Sequence, residues 1–413
     1  MIKQIYVIAG YIVALAIILT PYTSTAQESD PMILDVVDNL LLEQQKRERK
    51  EHREQKNFRF SALGGPGYTP DYGFVVGGSA LMTFRMAGME PTERRSVVPF
   101  MFSLSFGGDV SLSLLLRPQL YINHDRIRLS GDFIYSNLSS NYYGVGFDRN
   151  KSVTRGENST EYFNSMVTIN PILLFRFRDS DWFFGATTHF QYDHIKSPSS
   201  GVVSDPDYIA VGGNAAGYET LNNGVGLVVN YDSRDVPSNA YSGTHFDFKL
   251  LTFGGYLGGD FNYQQLKIKY QQYVQLSSTK QGRTLAWSVT SENMFGDVPF
   301  SRMSQIGSPF DLRGYYQGQY RDKSAHIALV EYRHSFHSEG ANFISKMVDR
   351  LGFVTWMGSG LLGPSPFDIE GVLPNLGVGL RFEVQPRMNF RVDVGYSPIE
   401  KQTLFYINMT EAF

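Results

Sequence analysis

Opposite charges two residues apart occur on three segments near the end of the chain. The pairs are Glu331 with Arg333, Arg381 with Glu383, and Arg391 with Asp393. Their sequence neighbours are apolar, and residues two apart share one face of a β-strand. Carboxylates and guanidinium groups form strong, directional hydrogen bonds with each other. The spacing therefore predicts charged strand faces that form a mixed ion-pair network, with ordinary polar faces in contact with water as the alternative.

Motifs for catalysis or for a metal are missing from the sequence. It has no cysteine, and we find no nucleophile elbow, phosphate loop or zinc-protease motif. His334 and His337 lack a strong third ligand, so they are weak evidence for zinc. A net charge of −3 gives no case for nucleic acid. We expect no enzyme, no catalytic residue, no metal and no cofactor.

The first residues have the layout of a secretory signal peptide. Lys3 precedes an apolar core, and small residues stand at Ser24 and Ala26. The core is about 15 residues, shorter than the roughly 20 that a spanning helix needs. We expect a signal peptide over residues 1–26, with an uncleaved anchor as the alternative.

The segment 27–57 differs in composition from everything after it. Its apolar residues have helical spacing, and beyond Glu43 it becomes almost wholly charged or amide. The apolar positions are Ile33, Val36, Val37, Leu40 and Leu41. We expect a periplasmic amphipathic helix with a charged tail. It is either a solvated linker or a docking element for a periplasmic partner.

From residue 58 to residue 413 the chain alternates between apolar and polar residues in short segments separated by turns. No apolar run of 18 residues follows the N-terminus, so any membrane span there is a β-strand. The predicted strands lie near 58–65, 72–85, 97–106, 110–121, 127–137, 162–177, 182–195, 217–231, 243–254, 260–277, 283–294, 323–336, 349–360, 373–384, 389–397 and 402–413. These sixteen strands predict an all-β, antiparallel transmembrane barrel over 58–413. A pair of β-sandwiches or a propeller is the soluble alternative.

The connections between the predicted strands support the barrel. The longest gaps are 138–161, 196–216 and 295–322, and all follow odd-numbered strands. With the N-terminus in the periplasm, all three loops lie outside the cell, as in outer-membrane barrels. Two predicted periplasmic turns, 86–96 and 337–348, are longer than expected.

The last strand resembles the C-terminal sorting signal of outer-membrane barrels. Alternation places Phe405, Ile407, Met409 and Phe413 on one face, and Glu411 interrupts that face.

Several motifs, ordered along residues 58–413, resemble the BamA/TamA superfamily, also called the bacterial surface antigen family. They are "PGYTPDYGFVVGG", "VNYDSRDVPSNAYSGTHF", "GDVPFSRMSQIGSPFDLRGYYQGQYRD", "LVEYR", "GVGLRFEVQPRMNFRVDVGYS" and the terminal "EAF". The resemblance implies a sixteen-stranded outer-membrane barrel. Family members usually carry repeated periplasmic domains; the segment before residue 58 is too short for one beside the expected helix, so we expect a stand-alone barrel of the family.

The resemblance also assigns roles to residues. Leu312, Arg313, Gly314 and Tyr315 match the sixth external loop, whose arginine folds into the lumen to meet carboxylates. We call these four residues the loop latch. The family's usual acid on the following strand is replaced here by Thr355 or Trp356. We therefore expect Arg313 to pair with Glu331, Glu383 or Asp393.

A second matching motif is a predicted periplasmic turn formed by Tyr231, Asp232, Arg234 and Asp235. Aspartate and serine satisfy turn backbone groups, so we interpret this motif as structural. A metal site is the alternative.

Three functions follow from these observations. The resemblance favours insertion or translocation of proteins, or other clients, through a weak seam between the first and last strands. A passive pore or structural barrel is the second. A platform that docks a periplasmic partner on 27–57 is the third. The expected partners are outer-membrane lipid and client or periplasmic proteins, but no nucleic acid.

Overall fold

The computed structural model describes residues 57–90, 93–106, 110–237, 239–277, 282–338, 340, 342–385 and 387–413. The predicted signal peptide, 1–26, and nearly all of the predicted helical segment, 27–57, lie outside these residues. No helix in the described part is both long and apolar enough to cross a membrane.

Antiparallel strands form one closed sheet. They are β1 Phe58–Thr69, β2 Gly73–Phe84, β3 Ser96–Ser105, β4 Ser111–Leu116, β5 Gln119–Ile122, β6 Ile127–Asn141, β7 Glu161–Arg176, β8 Trp182–Lys196, β9 Tyr218–Asp232, β10 Gly243–Phe253, β11 Tyr263–Gln275, β12 Arg283–Gly296, β15 Ser324–Ser335, β16 Leu351–Gly363, β17 Gly371–Gln385, β18 Met388–Ser397 and β19 Gln402–Met409. A separate small hairpin is formed by β13 Ser304–Ile306 and β14 Tyr320–Asp322. The chain is therefore all-β, as predicted.

One barrel strand is interrupted. Both β4 and β5 pair with β3 on one side and β6 on the other, so they continue one another. Pro118 lies in the gap, and proline cannot donate a ladder hydrogen bond. Counted together, β4 and β5 make one strand, and the barrel has the sixteen strands predicted from the sequence.

The two faces of the strands alternate as expected for a membrane barrel. On β8, His189, Gln191 and Asp193 are buried on the lumen side, while Phe184 and Phe190 are exposed on the outer side. The outer face of β17 carries the exposed side chains Leu376, Val378 and Leu380. An apolar outer face contacts lipid and a polar inner face lines the lumen.

The three long loops lie at one end of the barrel, which is therefore the external end. Residues 142–160 carry helix α1 Phe147–Ser152, and 197–217 carry α2 Ser200–Val203 and α3 Pro206–Ala210. Aromatic and aliphatic side chains from these loops and strand ends pack against Phe300 of the third loop. The opposite, periplasmic end includes a turn with helix α4 Phe343–Val348.

The third long loop, residues 297–323, is the one that matches the sixth external loop of the family, and we call it loop six. It enters the barrel. Its side chains Ile306, Leu312, Tyr315 and Tyr320 are fully buried. They pack with wall residues Leu329, Leu362 and Leu373. The lumen is therefore occupied by this loop.

The seam between the first and last strands is weakly paired. β1 pairs with β2 along its whole length, from Phe58↔Phe84 to Thr69↔Gly73. With β19 it shares the single pair Tyr68↔Ile407. β1 is longer than predicted. β19 is shorter, because Thr410 has a positive φ of 67°, which ends the extended backbone.

Candidate functional site

The loop latch brings Arg313 to the centre of the lumen, where its side chain is fully buried. Gly314 has φ of 110°, a conformation that favours glycine, and its position leaves no room for a Cβ beside the backbone of Tyr396. The Gly314 N–H donates to the hydroxyl of Tyr406, 2.9 Å away on β19. The loop backbone is thereby fixed against the last strand.

Arg313 bridges two carboxylates on different strands. Its Nη1 lies 2.9 Å from Oδ2 of Asp393 on β18, and its Nη2 donates to Glu331 on β15. All three side chains have no solvent exposure. An unpaired charge in such a place is costly, so this double pairing is what makes a buried arginine tolerable.

Three further arginines bind these two carboxylates. Arg333 donates to Glu331 at 3.0 Å, Arg381 donates to Asp393 at 2.6 Å, and Arg391 donates to Asp393 at 2.9 Å. Each carboxylate is therefore shared by more than one guanidinium group. We call Arg313, Glu331, Arg333, Arg381, Arg391, Asp393 and Glu411 the lumen network; Glu411 is described below.

Trp356 is one of the two residues that the resemblance places at the position of the family's usual acid. The guanidinium carbon of Arg313 stands 3.5 Å from the centre of the Trp356 ring. Trp356 is buried on the lumen side of β16 and pairs in register with Glu331, while Thr355 is exposed on the outer side. A cation over an indole face is attractive. The ring therefore supports the cation from its face, while the carboxylates bind its edge.

Glu383 lies outside the lumen network, contrary to the sequence prediction. Its carboxylate accepts the backbone N–H of Arg387 at 2.9 Å, in the turn between β17 and β18. The register shift between Glu383 and Gln385 interrupts regular pairing at this end of the strand. Glu383 itself still pairs in register with Asn389 and lines the same cavity as Arg381 and Glu411, so it faces inward, but at the end of the strand it binds the turn backbone instead of an arginine of the network.

Glu411 belongs to the lumen network, although the sequence pattern placed it on the apolar face. Its carboxylate is buried and accepts from Arg381 at 2.9 Å and from Asn389 at 2.7 Å. The positive φ of Thr410, the residue directly after the last paired position at Met409, ends the alternation, so Glu411 turns inward. The sequence did contain one signal for this arrangement: Glu411 is a charged residue at a position where the other residues of the same strand face are apolar.

The same change in backbone direction separates the predicted C-terminal signal residues. Phe405 is exposed on the outer face of β19, and Ile407 and Met409 are half-buried on it. Phe413 instead lies beside Tyr273 in the lumen, with its carbonyl accepting from Arg333 at 2.8 Å. The prediction of one shared face is wrong for Phe413.

The remaining latch residues make specific contacts with the wall. Leu312 is buried in the apolar cluster, and the Tyr315 hydroxyl donates to the Pro374 carbonyl at 2.8 Å. Gln402, at the start of β19, donates to the Gly314 carbonyl at 2.8 Å. The latch therefore touches strands on both sides of Asp393.

The predicted periplasmic turn begins inside a strand, since Tyr231 and Asp232 are the last residues of β9. Arg234 pairs with Asp232 at 2.9 Å, and Asp235 accepts from Arg387 at 2.7 Å. The aspartates are engaged by guanidinium groups. The described residues contain no group of three or more side chains suited to a metal.

A contact at the external end was not foreseen from the sequence. Arg155 in the loop 142–160 binds the carbonyls of Pro70 and Asp71 at 3.2 Å each and lies 3.5 Å from the Asp71 carboxylate. Asp71 also accepts the Gln317 N–H of loop six at 3.1 Å. Burial raises the pKa of Asp71 to about 6, although Arg155 and the Gln317 N–H oppose the rise. We call this the outer contact.

A closed sixteen-stranded barrel with an apolar outer face and a charged, loop-filled lumen is an outer-membrane β-barrel protein. A model of the Omp85 superfamily domain matches residues 101–347, more than half of the chain. The chain therefore belongs to the Omp85 superfamily, and the resemblance to BamA and its relatives is confirmed.

Solved structures of that family share the fold. BamA from Haemophilus ducreyi, lacking POTRA domains 1–3, is 12% identical with a TM-score of 0.58, over 86% of this chain and 70% of that one. CdiB from Acinetobacter baumannii is 12% identical with a TM-score of 0.51, and CdiB from Escherichia coli is 11% identical with a TM-score of 0.54. Both CdiB matches cover 86% of this chain, but only 60% and 63% of the CdiB chains. No curated protein matches the sequence.

Proposed function

We propose that this barrel assists the insertion or translocation of proteins at the outer membrane, and that β1 offers its free edge to an incoming strand. Membership of the Omp85 superfamily supports such a role in general. The observation that carries the proposal is the single residue pair at the seam. We propose no enzymatic reaction.

The free edge lies on the periplasmic half of β1. Residues Phe60–Gly65 pair with β2 on one side, and none of the described residues pairs with their other side. In register, their partners would lie beyond the inward turn at Thr410, where β19 has already ended. Unpaired strand edges are ready templates for another strand.

The unpaired backbone groups of this edge cost more free energy in lipid than they would in water. Each backbone group without a hydrogen bond costs several kcal/mol in the hydrocarbon region. Phe60 is exposed, and Gly64 and Gly65 add no bulky side chain to the edge. A client strand that pairs with β1 removes this cost, and a weak seam allows the client to leave sideways into the bilayer.

A disulfide across the seam tests the proposal. The pair Tyr68→Cys with Ile407→Cys joins residues that are directly opposite on β1 and β19. The matched control, Ser61→Cys with Leu81→Cys, joins β1 to β2, which are already paired throughout. The sequence has no native cysteine to interfere.

The measurement is the amount of client barrels in the outer membrane of cells depleted of the native protein. We expect the oxidised seam variant to fail, reductant to restore it, and the control to support assembly in both states. Full support by the oxidised seam variant would contradict opening at the seam. Normal assembly of all barrels after depletion would contradict an assembly role altogether.

A passive pore is the second candidate, and the filled lumen argues against it. Loop six and the lumen network occupy the interior, so we expect little current in planar bilayers. Large, steady currents from the intact protein would favour the pore. The third candidate, a docking platform on 27–57, is tested by deleting that segment and following co-purified periplasmic proteins.

A further inference from the structure

The periplasmic turn between β15 and β16 carries helix α4, whose polarity is reversed relative to a helix of a water-soluble protein. Phe343 is 77% exposed and Ile344 is 71% exposed. Ser345, in contrast, is buried. A surface helix in water normally turns its apolar side to the protein and its polar side to solvent.

The positions of these residues around the helix form two distinct sides. At about 100° per residue, Phe343, Ile344, Met347 and Val348 fall within an arc of about 140°. Ser345 lies on the other side, held by the Asn342 side chain, which accepts the Ser345 N–H at 2.8 Å. Asp349, on that same side, accepts the Ser338 N–H at 2.6 Å. The polar side attaches the helix to its own turn, and the apolar side is presented outward.

The exposed side continues the lipid-facing band of the barrel. The turn joins Phe336, after β15, to Leu351, the first residue of β16, and both are exposed on the outer surface. Phe336 lies 5.9 Å from Phe353 between ring centres, and Phe353 lies 5.1 Å from His334. Aromatic belts of this kind mark the membrane–water interface of barrels. Helix α4 therefore begins where the lipid-facing surface ends.

The charged residues next to the apolar arc indicate which layer of the membrane surrounds helix α4. Lys346 and Arg350 follow one another by four residues and border the apolar arc on one edge. Apolar arcs flanked by cations are typical of helices that lie in the headgroup layer, where phosphate groups meet the cations and acyl chains meet the apolar side. From these contacts we propose that helix α4 lies in the inner leaflet of the outer membrane and binds phospholipid, anchoring the hairpin of β15 and β16.

Because the sequence has no cysteine, a single label can report the environment of the helix. The barrel is refolded into phosphatidylethanolamine and phosphatidylglycerol vesicles with a fluorescent label on Ile344→Cys. Met347→Cys on the same arc is the second variant, in case the first does not fold. Val330→Cys, exposed at the outer surface of β15, is the lipid control, and Glu157→Cys, in an external loop, is the water control.

Two quenchers distinguish whether lipid, water or protein surrounds the exposed side of helix α4. We expect lipids with a nitroxide near the headgroup to quench the α4 label strongly, and iodide to quench it several-fold less than the label on Glu157→Cys. Iodide quenching equal to that control, without nitroxide quenching, would overturn the proposal. Protection from iodide without nitroxide quenching would also overturn it, because a protein segment such as 27–57 would then cover the helix.

Discussion

Replacing Arg313 by alanine removes the cation that joins loop six to the barrel wall. The wild-type side chain is fully buried, bridges Glu331 and Asp393, and stacks on Trp356 at 3.5 Å. The substitution leaves two buried carboxylates and one indole face without that shared partner. We expect the docked position of the loop to be destabilised, while the outer sheet keeps its hydrogen bonds.

The free energy lost on this substitution depends on which ion pairs Glu331 and Asp393 retain. Removing one member of a buried ion pair costs about 3–5 kcal/mol. Glu331 keeps Arg333, and Asp393 keeps Arg381, so the lower end, about 3 kcal/mol, applies to the ion pairs. Loss of the stack adds up to about 2 kcal/mol. We therefore expect loop docking to weaken by about 3–5 kcal/mol, a factor of more than one hundred.

Hydrogen exchange of the backbone amides in 309–318 measures the docking directly, and urea unfolding in lipid vesicles measures the barrel. The Arg313→Lys variant keeps the charge but lacks the planar fork, so its effect should be intermediate. Arg178→Ala, at an exposed position, is the matched control. If Arg313→Ala exchanges these amides at the wild-type rate, the lumen network does not hold the loop and the reasoning is wrong.

Three further predictions concern other contacts. Trp356→Leu should weaken loop docking by about 1–2 kcal/mol, and a double-mutant cycle with Arg313→Ala should recover a coupling of similar size; zero coupling would deny the stack any role. Because burial raises the pKa of Asp71 from 3.8 to about 6, the outer contact should be strongest below pH 4 and lose up to about 3 kcal/mol as the pH rises to 6. Exchange of the Gln317 amide, corrected for its intrinsic rate, should show this loss, and Asp71→Asn should make it independent of pH. Arg387→Ala should release the turn 233–242, since it removes a 2.7 Å ion pair and a 3.5 Å stack on Tyr241; unchanged protease cleavage in that turn would argue against this role.

The strands were predictable because lipid and lumen impose one simple rule on every strand. An apolar outer face and a polar inner face produce alternation, and alternation is visible in sequence. The side of the long loops followed from strand parity alone. The limits of β1 and β19 were less accurate, because their ends depend on the seam and on the backbone at Thr410, which no periodicity reports.

The candidate site was predictable only in part, because alternation shows which face a strand residue occupies but not which residues it contacts. Alternation placed Glu331, Arg333, Arg381, Arg391 and Asp393 on inward faces, where the structure has them. It failed for Glu411, where a positive φ at Thr410 changes the direction of the chain, and it did not show that Glu383, at the end of β17, binds the Arg387 N–H rather than the lumen network. The stack of Arg313 on Trp356 depends on how loop six lies in space, and a single sequence contains no direct signal for such a long-range contact.

The inward turn at Thr410 makes the two sides of the seam mechanically unequal. Beyond it, Glu411 is bound to Arg381 and Phe413 to Arg333, so the end of the last strand is tied to the same charges that hold loop six. Among the described residues, the first strand pairs with the last only near its external end, at Tyr68↔Ile407, and the outer contact holds the adjoining turn at that same end. Separation of the seam would therefore begin at the periplasmic end and swing β1 and β2 away from a stationary β19. A client arriving from the periplasm would meet the movable edge first, and it could leave sideways only after the Tyr68↔Ile407 pair at the external end had also separated.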